Sequence, residues 1–164
     1  MKTKFFISDV DGTLVDRMPI YAQTFAELVA PFGVKPEIAK KYYYESALGS
    51  LSGEFAEILS KHNVTFIESD LERLYWEFFE KVEKENIKLF PGVKETLQTL
   101  KREGLKLCAT SGSRTAPLET LFAKKGLFFD VVLGSDREFA KGDAHITFFA
   151  RFFGVVREEF CRNA

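Results

Sequence analysis

The sequence is poor in cysteine, in clustered positive charge and in long apolar runs, and each shortage excludes a class of protein. The two cysteines, Cys108 and Cys161, cannot build a disulfide framework, and neither has the spacing of a metal site. We expect Cys108 to be a small core residue and expect no disulfide between the two. No lysine or arginine cluster resembles a nucleic-acid patch, and the formal net charge of −1 indicates no polyelectrolyte partner.

Long apolar runs are also missing. No run approaches the roughly 20 residues that cross a bilayer, so no membrane-spanning helix is expected. The positively charged start at 1–7 is apolar over too short a distance to be a signal peptide, and Asp9 interrupts it. These absences predict a cytoplasmic protein that binds neither nucleic acid nor membranes.

The chain does have the material for a core. Of its 164 residues, 46% are hydrophobic, and 18 are phenylalanine. This length allows one domain with an insertion or two small domains.

The run from Phe5 to Leu14 holds the strongest functional signal. Its apolar part predicts a buried strand, and the break at Gly12 places Asp9 and Asp11 at the carboxyl end, where open α/β sheets bind ligands. In such a pair one carboxylate can attack as a nucleophile while the other moves a proton. A divalent cation would let the two acids coexist and would bind a phosphate oxygen. The alternative is an ordinary polar turn, because Asp-Gly is a common turn pair.

A second strand is predicted at 105–110, and it ends in a hydroxyl-bearing residue. A parallel neighbour needs a crossover of only about a dozen residues, yet about one hundred residues separate Asp9 from Thr110. One helix, opening at Pro91-Gly92 and closing at Gly104, accounts for part of that interval. The division that follows is a core at 1–16 and 89–164 and a helical cap at 17–88.

The insert shows helical periodicity along most of its length. Four amphipathic helices with short links predict a bundle. Because the bundle enters and leaves the core at adjacent points, it is a candidate lid over the aspartates. The helices are predicted over 20–32, from Pro36, after a loop at 49–53, and from a capping-box pattern at Ser69 and Glu72.

Strand and helix alternate again after the second strand. The elements are a turn at 111–114, a helix from Pro117 to about Lys125, a strand at 129–133 and a helix at 145–153. The whole pattern predicts an α/β protein whose Rossmann-like parallel sheet carries an inserted helical bundle.

The run Ser8-Asp9-Val10-Asp11-Gly12-Thr13 resembles the first motif of the haloacid dehalogenase-like hydrolases. The resemblance is to their phosphatases with a helical cap, of the phosphoglycolate phosphatase and beta-phosphoglucomutase type. It implies that Asp9 is the nucleophile of an aspartyl-phosphate mechanism and that Asp11 is the acid and base. Thr110 matches the second motif, a hydroxyl that donates to phosphate. Lys141 matches the third, a lysine that neutralises the nucleophile and the phosphate, although glycine follows it where proline is commoner.

The same resemblance implies a phosphate site and a metal site. A hydroxyl and small residues beside a helix N-terminus suit an anion. The implied cofactor is Mg²⁺, with Asp9 and Asp11 as its ligands. The implied phosphate-binding residues are Gly12, Thr110, Ser111, Gly112 and Lys141.

The family's fourth motif, which follows the next strand and supplies further acids for Mg²⁺, has no match in the chain. Asp130, Asp136 and Asp143 are considered as substitutes, and none is assigned the role because none has the required placement. Without that strand, the edge of the strand at 4–9 would be exposed, and such edges pair or aggregate. We therefore expect a shortened product of a longer protein or an edge covered by another chain, and self-association is one form of the latter.

The function implied is Mg²⁺-dependent hydrolysis of a phosphomonoester, with a small phosphorylated metabolite as substrate. Asp11 favours phosphate chemistry, because relatives that cleave carbon–halogen or phosphonate bonds carry another residue there. It does not separate a hydrolase from a sugar-phosphate mutase, and the missing motif leaves a non-catalytic phosphatase-like binding module as an alternative. His145 is expected to be structural, while Arg17 and the loop at 49–53 are a helix linker or, less favoured, a substrate contact.

Overall fold

The structure is a computed structural model that describes residues 4–46, 50–136 and 141–164. The chain divides into two units, and we name the first the core unit and the second the cap unit. The core unit is Met1–Asp16 with Lys88–Ala164, and the cap unit is Arg17–Ile87.

The described ranges contain five strands, all in the core unit, arranged in two sheets. The main sheet has the order β1-β4-β5 with parallel neighbours, and β2 pairs antiparallel with β3. The prediction of an α/β fold with a parallel sheet is confirmed. The strands are β1 (Phe5–Asp9), β2 (Val15–Asp16), β3 (Lys88–Leu89), β4 (Lys106–Thr110) and β5 (Val131–Leu133).

Helices make up the rest of the regular structure in the described chain. Among them, none is long and apolar enough to cross a membrane. The α-helices of the cap unit are α1 (Met18–Val29), α2 (Pro36–Glu45), α3 (Leu51–Lys61) and α4 (Glu68–Lys84), and a 3₁₀ helix at Ala30–Phe32 follows α1. Those of the core unit are α5 (Val93–Arg102), α6 (Thr115–Lys125), α7 (Asp143–Phe152) and α8 (Arg157–Asn163).

Aromatic side chains from α7 and α8 pack against the main sheet. Phe149 and Phe160 are fully buried, and the ring of Phe160 lies 4.6 Å from that of Phe5 on β1. Elsewhere α5 contacts β4 and α6 contacts β5. Helical cover explains why β1 and β4 are apolar along most of their length, since parallel strands are normally buried on both faces.

β1 lies at the edge of the main sheet, as the sequence predicts. β4 pairs with it on one side, in a register that sets Asp9 opposite Thr110. No strand among the described residues pairs with its other side. The backbone N–H of Lys4 instead donates to the carbonyl of Asn163 at the end of α8, at 2.9 Å. Self-association through this edge stays a prediction.

The pair formed by β2 and β3 marks where the chain leaves the core unit and where it returns. Asp16 pairs with Lys88, so residues 17–87 start and end at adjacent points. Val15 anchors the pair, because its side chain is fully buried. The sequence does not predict this pair, since two residues show no alternation of apolar and polar side chains.

The cap unit has its own hydrophobic core. Phe25 of α1 stacks on Phe55 of α3 with ring centroids 4.7 Å apart, and Phe78 of α4 packs edge-on against Phe55 at 6.4 Å. Beside this aromatic core, the hydroxyl of Tyr42 on α2 donates to the carboxylate of Glu57 on α3 at 2.6 Å. Burial, and then this carboxylate, raise the pKa of Tyr42 to about 12. Three helices therefore meet in one aromatic cluster, as the periodicity of the insert predicts.

Three predicted helix boundaries in the cap unit are wrong. α1 covers Met18–Val29 and not 20–32, because Pro31 has no backbone N–H to continue the α-helix and a 3₁₀ helix follows at Ala30–Phe32. α3 begins inside the predicted loop at 49–53, because the Ser50 hydroxyl accepts from the backbone N–H of Gly53 at 3.4 Å and caps the helix. Gly49 lies outside the described residues. α4 begins at Glu68, before the predicted capping box, because the Asp70 carboxylate accepts from the backbone N–H of Ile67 at 3.1 Å.

The two free thiols differ in environment, and this predicts different reactivity. Burial raises the pKa of the Cys108 thiol to about 12, and the Asp130 carboxylate adds to the rise, whereas Cys161 is exposed. Because the thiolate is the reactive form, we predict that an aromatic disulfide reagent modifies one thiol quickly in the native protein and the second only on unfolding. In the Cys161→Ser variant the fast reaction should disappear, and rapid modification of that variant would contradict the structure.

Candidate active site

Asp9 ends β1, and a tight turn follows it. The carbonyl of Val10 accepts from the backbone N–H groups of Thr13, Leu14 and Val15 at 3.2, 2.8 and 3.1 Å. Gly12 permits this turn, because its φ of 77° lies in the left-handed region that favours glycine. The turn holds the segment that carries Asp11 directly beyond the strand.

Lys141 contacts the first carboxylate. Its Nζ lies 2.6 Å from Oδ1 of Asp9, and the two side chains are 43% and 39% exposed. The hydroxyl of Thr13 makes a longer contact of 3.5 Å with Oδ2 of Asp9. An ammonium in this position balances the carboxylate and could balance a phosphoryl group beside it. The structure thus brings together the first and third predicted motifs, which are 132 residues apart in the chain.

Two serines of the loop after β4 contact the second carboxylate. The hydroxyls of Ser111 and Ser113 donate to Oδ2 of Asp11 at 3.1 and 3.0 Å. The backbone N–H of Ser113 donates to the Ser111 hydroxyl at 2.9 Å, so the two serines also hold each other. Both are buried. Asp11 therefore accepts from two buried hydroxyl groups, and Asp9 contacts the ammonium of Lys141.

Both hydrogen-bond donors of Ser111, its hydroxyl and its backbone N–H, are used within the protein. Its hydroxyl donates to Asp11, and its backbone N–H donates to the carbonyl of Leu133 at 3.0 Å. Its phosphate contact stays a prediction, as does that of Gly12. Gly112 faces open space, because nothing lies within 4 Å of the position that a Cβ would take. An anion can therefore approach the backbone of the loop at Gly112.

Thr110, the last residue of β4, contacts a residue that the sequence analysis places outside the site. Its hydroxyl oxygen lies 2.7 Å from Nδ1 of His145. His145 sits in the first turn of α7 and is only 1% exposed. This contact could not be found from sequence because it links the end of a strand to a helix 35 residues away.

The loop after β5 ties the site together through residues that the sequence analysis missed. Ser135 donates its backbone N–H to the carbonyl of Ser113 at 2.8 Å and its hydroxyl to the carbonyl of Ser111 at 3.3 Å. The Ser135 hydroxyl also accepts from the backbone N–H of Lys141 at 2.9 Å. Ser135 therefore links the loop that supports Asp11 to the residue that contacts Asp9.

A family comparison agrees with this geometry. A model of the haloacid dehalogenase-like hydrolases matches residues 6–159, nearly the whole chain. The chain belongs to the haloacid dehalogenase-like hydrolase family. The match includes all the residues of the site, from Asp9 to His145.

Solved structures of other proteins share the fold. A predicted phosphoglycolate phosphatase from Haemophilus somnus is 22% identical with a TM-score of 0.78, over 94% of this chain and 73% of that one. A predicted phosphatase from Clostridium acetobutylicum is 17% identical with a TM-score of 0.74, over 94% and 72%. CbbY from Rhodobacter sphaeroides, solved with xylulose-1,5-bisphosphate, is 19% identical with a TM-score of 0.63, over 82% and 64%. At these identities the likeness shows the fold alone.

The donor set suits a magnesium ion only in part. Mg²⁺ is commonly held by one or two carboxylates, with water and substrate phosphate completing its shell, and Asp9 and Asp11 can supply those carboxylates. Among the described residues, no group of three or more acidic, histidine or cysteine side chains could hold a metal.

The acids considered as substitutes for the fourth motif have partners of their own. Asp136 accepts from the hydroxyl of Thr115 at 2.6 Å, and Asp130 accepts from the backbone N–H of Leu107 at 2.9 Å. Asp143 pairs with Arg157. Asp9 and Asp11 are the predicted carboxylate ligands, and among the described residues no third acid joins them in a group that could hold a metal.

Gly134 lets the loops after β4 and β5 meet, and this predicts the effect of a single methyl group. A Cβ at Gly134 would lie 2.2 Å from the carbonyl oxygen of Ser113 and 2.3 Å from the backbone nitrogen of Thr115. Because backbone must move to relieve this clash, Gly134→Ala should lower the free energy of unfolding by about 1–3 kcal/mol, measured by urea denaturation. Gly112→Ala, placed in open space, should change it by less than about 0.5 kcal/mol. Equal effects of the two substitutions would contradict the loop contact.

Proposed function

We propose that this hydrolase cleaves phosphomonoesters of small metabolites, with Mg²⁺ as cofactor and an aspartyl-phosphate intermediate on Asp9. The observation that carries the proposal is the 2.6 Å contact between Lys141 and Asp9 beside an Asp11 held by two hydroxyls. One carboxylate with a cation and one with hydroxyl donors are suited to different tasks, attack and proton transfer. The substrate class is drawn from the names of structural relatives, which include a predicted phosphoglycolate phosphatase.

In the first step, an oxygen of the Asp9 carboxylate attacks phosphorus. The bond between phosphorus and the ester oxygen breaks, and Asp11, in its protonated form, gives its proton to that oxygen. In the second step, Asp11 takes a proton from water as the water oxygen attacks phosphorus. The bond between phosphorus and Asp9 then breaks, and inorganic phosphate and the free carboxylate are released.

The remaining residues stabilise charge on the phosphoryl group. Lys141 supplies a fixed ammonium that needs no proton transfer. Thr110 supplies a hydroxyl at the end of β4, and Gly112 supplies backbone open to an anion. Mg²⁺ would bind Asp9, with Asp11 as the second predicted ligand, and would neutralise the charge of the phosphoryl oxygens.

Two other functions use the same residues. A sugar-phosphate mutase needs both aspartates and excludes water, and the relative solved with a sugar bisphosphate favours this alternative. A non-catalytic module would bind phosphate without turnover. The contact of Lys141 with Asp9 argues against the module, because a scaffold has no use for an ammonium held at a nucleophile.

Hydrolysis of p-nitrophenyl phosphate by the full chain tests the proposal. We expect turnover that requires Mg²⁺ and stops on chelation, and we expect Asp9→Asn to abolish it, because an amide cannot attack phosphorus. Mass spectrometry of acid-quenched protein should find one phosphoryl group on the wild-type chain and none on this variant. Asp143→Asn is the matched control, since the Asp143 side chain is 87% exposed, and it should turn over normally.

Two results would overturn the hydrolase proposal. If the wild-type chain binds inorganic phosphate but never turns over, the binding module is the better function. If it exchanges phosphate between sugar hydroxyls faster than it releases phosphate to water, the mutase is the better one.

Lys141 should matter to turnover far more than to stability. Its ion pair with Asp9 is half-exposed, so Lys141→Met should change the free energy of unfolding by less than about 1 kcal/mol. The same substitution should lower kcat about 10²–10³-fold, since it removes a charge aimed at the phosphoryl group. Lys124→Met, on the exposed side of α6, is the control and should leave kcat unchanged. A Lys141→Met enzyme with near wild-type kcat would show that the ammonium has no part in the reaction.

A further inference from the structure

We infer that His145 is a positioning residue that acts through Thr110. Its Nδ1–H donates to the hydroxyl oxygen of Thr110 and so leaves the hydroxyl proton for a phosphoryl oxygen. The inference rests on the proposed function, because it assigns Thr110 a phosphate as its partner. Nothing in the sequence analysis links these two residues.

The geometry of the pair is the first support. The distance from the Thr110 hydroxyl oxygen to Nδ1 of His145 is 2.7 Å, well within hydrogen-bond range. His145 is 1% exposed. Burial of a polar ring without a hydrogen bond is unfavourable. The imidazole of His145 and the hydroxyl of Thr110 therefore orient each other.

Packing holds the ring in place. The imidazole lies edge-on to the ring of Phe149, one turn further along α7, with centroids 6.5 Å apart. Phe149 is itself fully buried. The orientation of Nδ1 is therefore set by the core, and the Thr110 hydroxyl is set by Nδ1.

The proton and lone pairs of the Thr110 hydroxyl decide whether Thr110 or Nδ1 of His145 must be the donor. A hydroxyl has one proton and two lone pairs. If Thr110 donated to Nδ1, its proton would be used inside the protein. If Nδ1–H donates, a lone pair of Thr110 is used and the proton stays available to a ligand. Only the Nδ1-protonated ring therefore lets Thr110 act as the phosphate donor of the second motif.

The position of His145 in the chain gives the pair a further role. It lies four residues after Lys141, across the start of α7 at Asp143. Lys141 reaches Asp9 at the end of β1, and His145 reaches Thr110 at the end of β4. One segment thus contacts both neighbouring strand ends, and these two contacts hold the nucleophile and the phosphate donor in register.

Kinetics of four variants tests whether His145 acts through Thr110. His145→Leu removes the donor, His145→Asn places an amide near the position of Nδ1, and Thr110→Val removes the hydroxyl. We expect His145→Leu and Thr110→Val each to lower kcat for p-nitrophenyl phosphate at least about tenfold, because a donor that tightens in the transition state is lost. KM should change less. The double variant should be no slower than Thr110→Val alone, and His145→Asn should recover most of the rate.

A merely structural histidine gives a different pattern. His145→Leu would then lower the free energy of unfolding, while kcat per folded molecule stayed at the wild-type value. Losses that multiply in the double variant, or a failure of His145→Asn to recover activity, would likewise overturn the inference.

Nitrogen NMR tests the contact without any need for turnover. The chain has two histidines, so a protein labelled with ¹⁵N-histidine shows His145 with His62 as the internal reference. We expect His145 to be protonated at Nδ1, and we expect Thr110→Val to shift its Nδ1 signal and leave His62 unchanged. If His145→Leu does not fold, this comparison still decides the matter. An Nδ1 that carries no proton would overturn the inference.

The same spectra separate the inference from the proposed function. Titration of the wild-type chain with inorganic phosphate should shift the His145 Nδ1 signal, and Thr110→Val should weaken phosphate binding. If the wild-type chain does not turn over but phosphate gives this shift, the proposed hydrolysis fails while the role of His145 stands. If phosphate binds and the Nδ1 signal stays in place, the role of His145 fails.

Discussion

The register between β1 and β4 is the constraint on which the site depends. It sets Asp9 opposite Thr110, so both strands end at the same level and the chain beyond each of them meets the other. The loop with Ser111 can then reach Asp11, two residues past the end of β1. A slip of one residue would turn these side chains to the opposite face of the sheet. The apolar contacts of Phe5 with α8 therefore help to hold the site, although they lie at the other end of the strand.

The two carboxylates differ in their partners, and the difference supports a division of labour. Asp9 faces an ammonium, which stabilises a charged nucleophile without supplying a proton. Asp11 accepts from two hydroxyls, which restrict its position. Paired acids with unlike environments are the usual way in which one carboxylate attacks while its neighbour moves protons. The supporting serines come from a different strand end, so the division depends on tertiary structure.

The parts of this molecule that could be predicted from sequence are those with a local pattern. The apolar run before Asp9 and the helical spacing of the insert can be recognised within a few residues. The contact of Lys141 with Asp9 has no such local pattern and is implied only by the resemblance of the motifs to those of the family. Ser135 and His145 escape prediction because their partners lie in other elements of the fold. The need for glycine at position 134 cannot be predicted either, because the backbone atoms close to it belong to another loop. The start of α3 is predicted wrongly for a local reason. The glycines at 49 and 53 predict a loop, but the Ser50 side chain caps the helix and lets it begin at Leu51.

Charge balance argues for a cation at the site even though only two carboxylates are offered to it. When Asp11 is protonated, the single positive charge of Lys141 faces both the Asp9 carboxylate and an approaching phosphoryl group, and it cannot neutralise the two completely. Asp136 accepts from the hydroxyl of Thr115, which in turn accepts from the backbone N–H of Gly134, so this acid serves the contact between the two loops. A hard divalent cation that shares its shell between Asp9, water and the phosphate removes this repulsion without a third acid. Its affinity would then depend strongly on the phosphate, so metal and substrate should bind together.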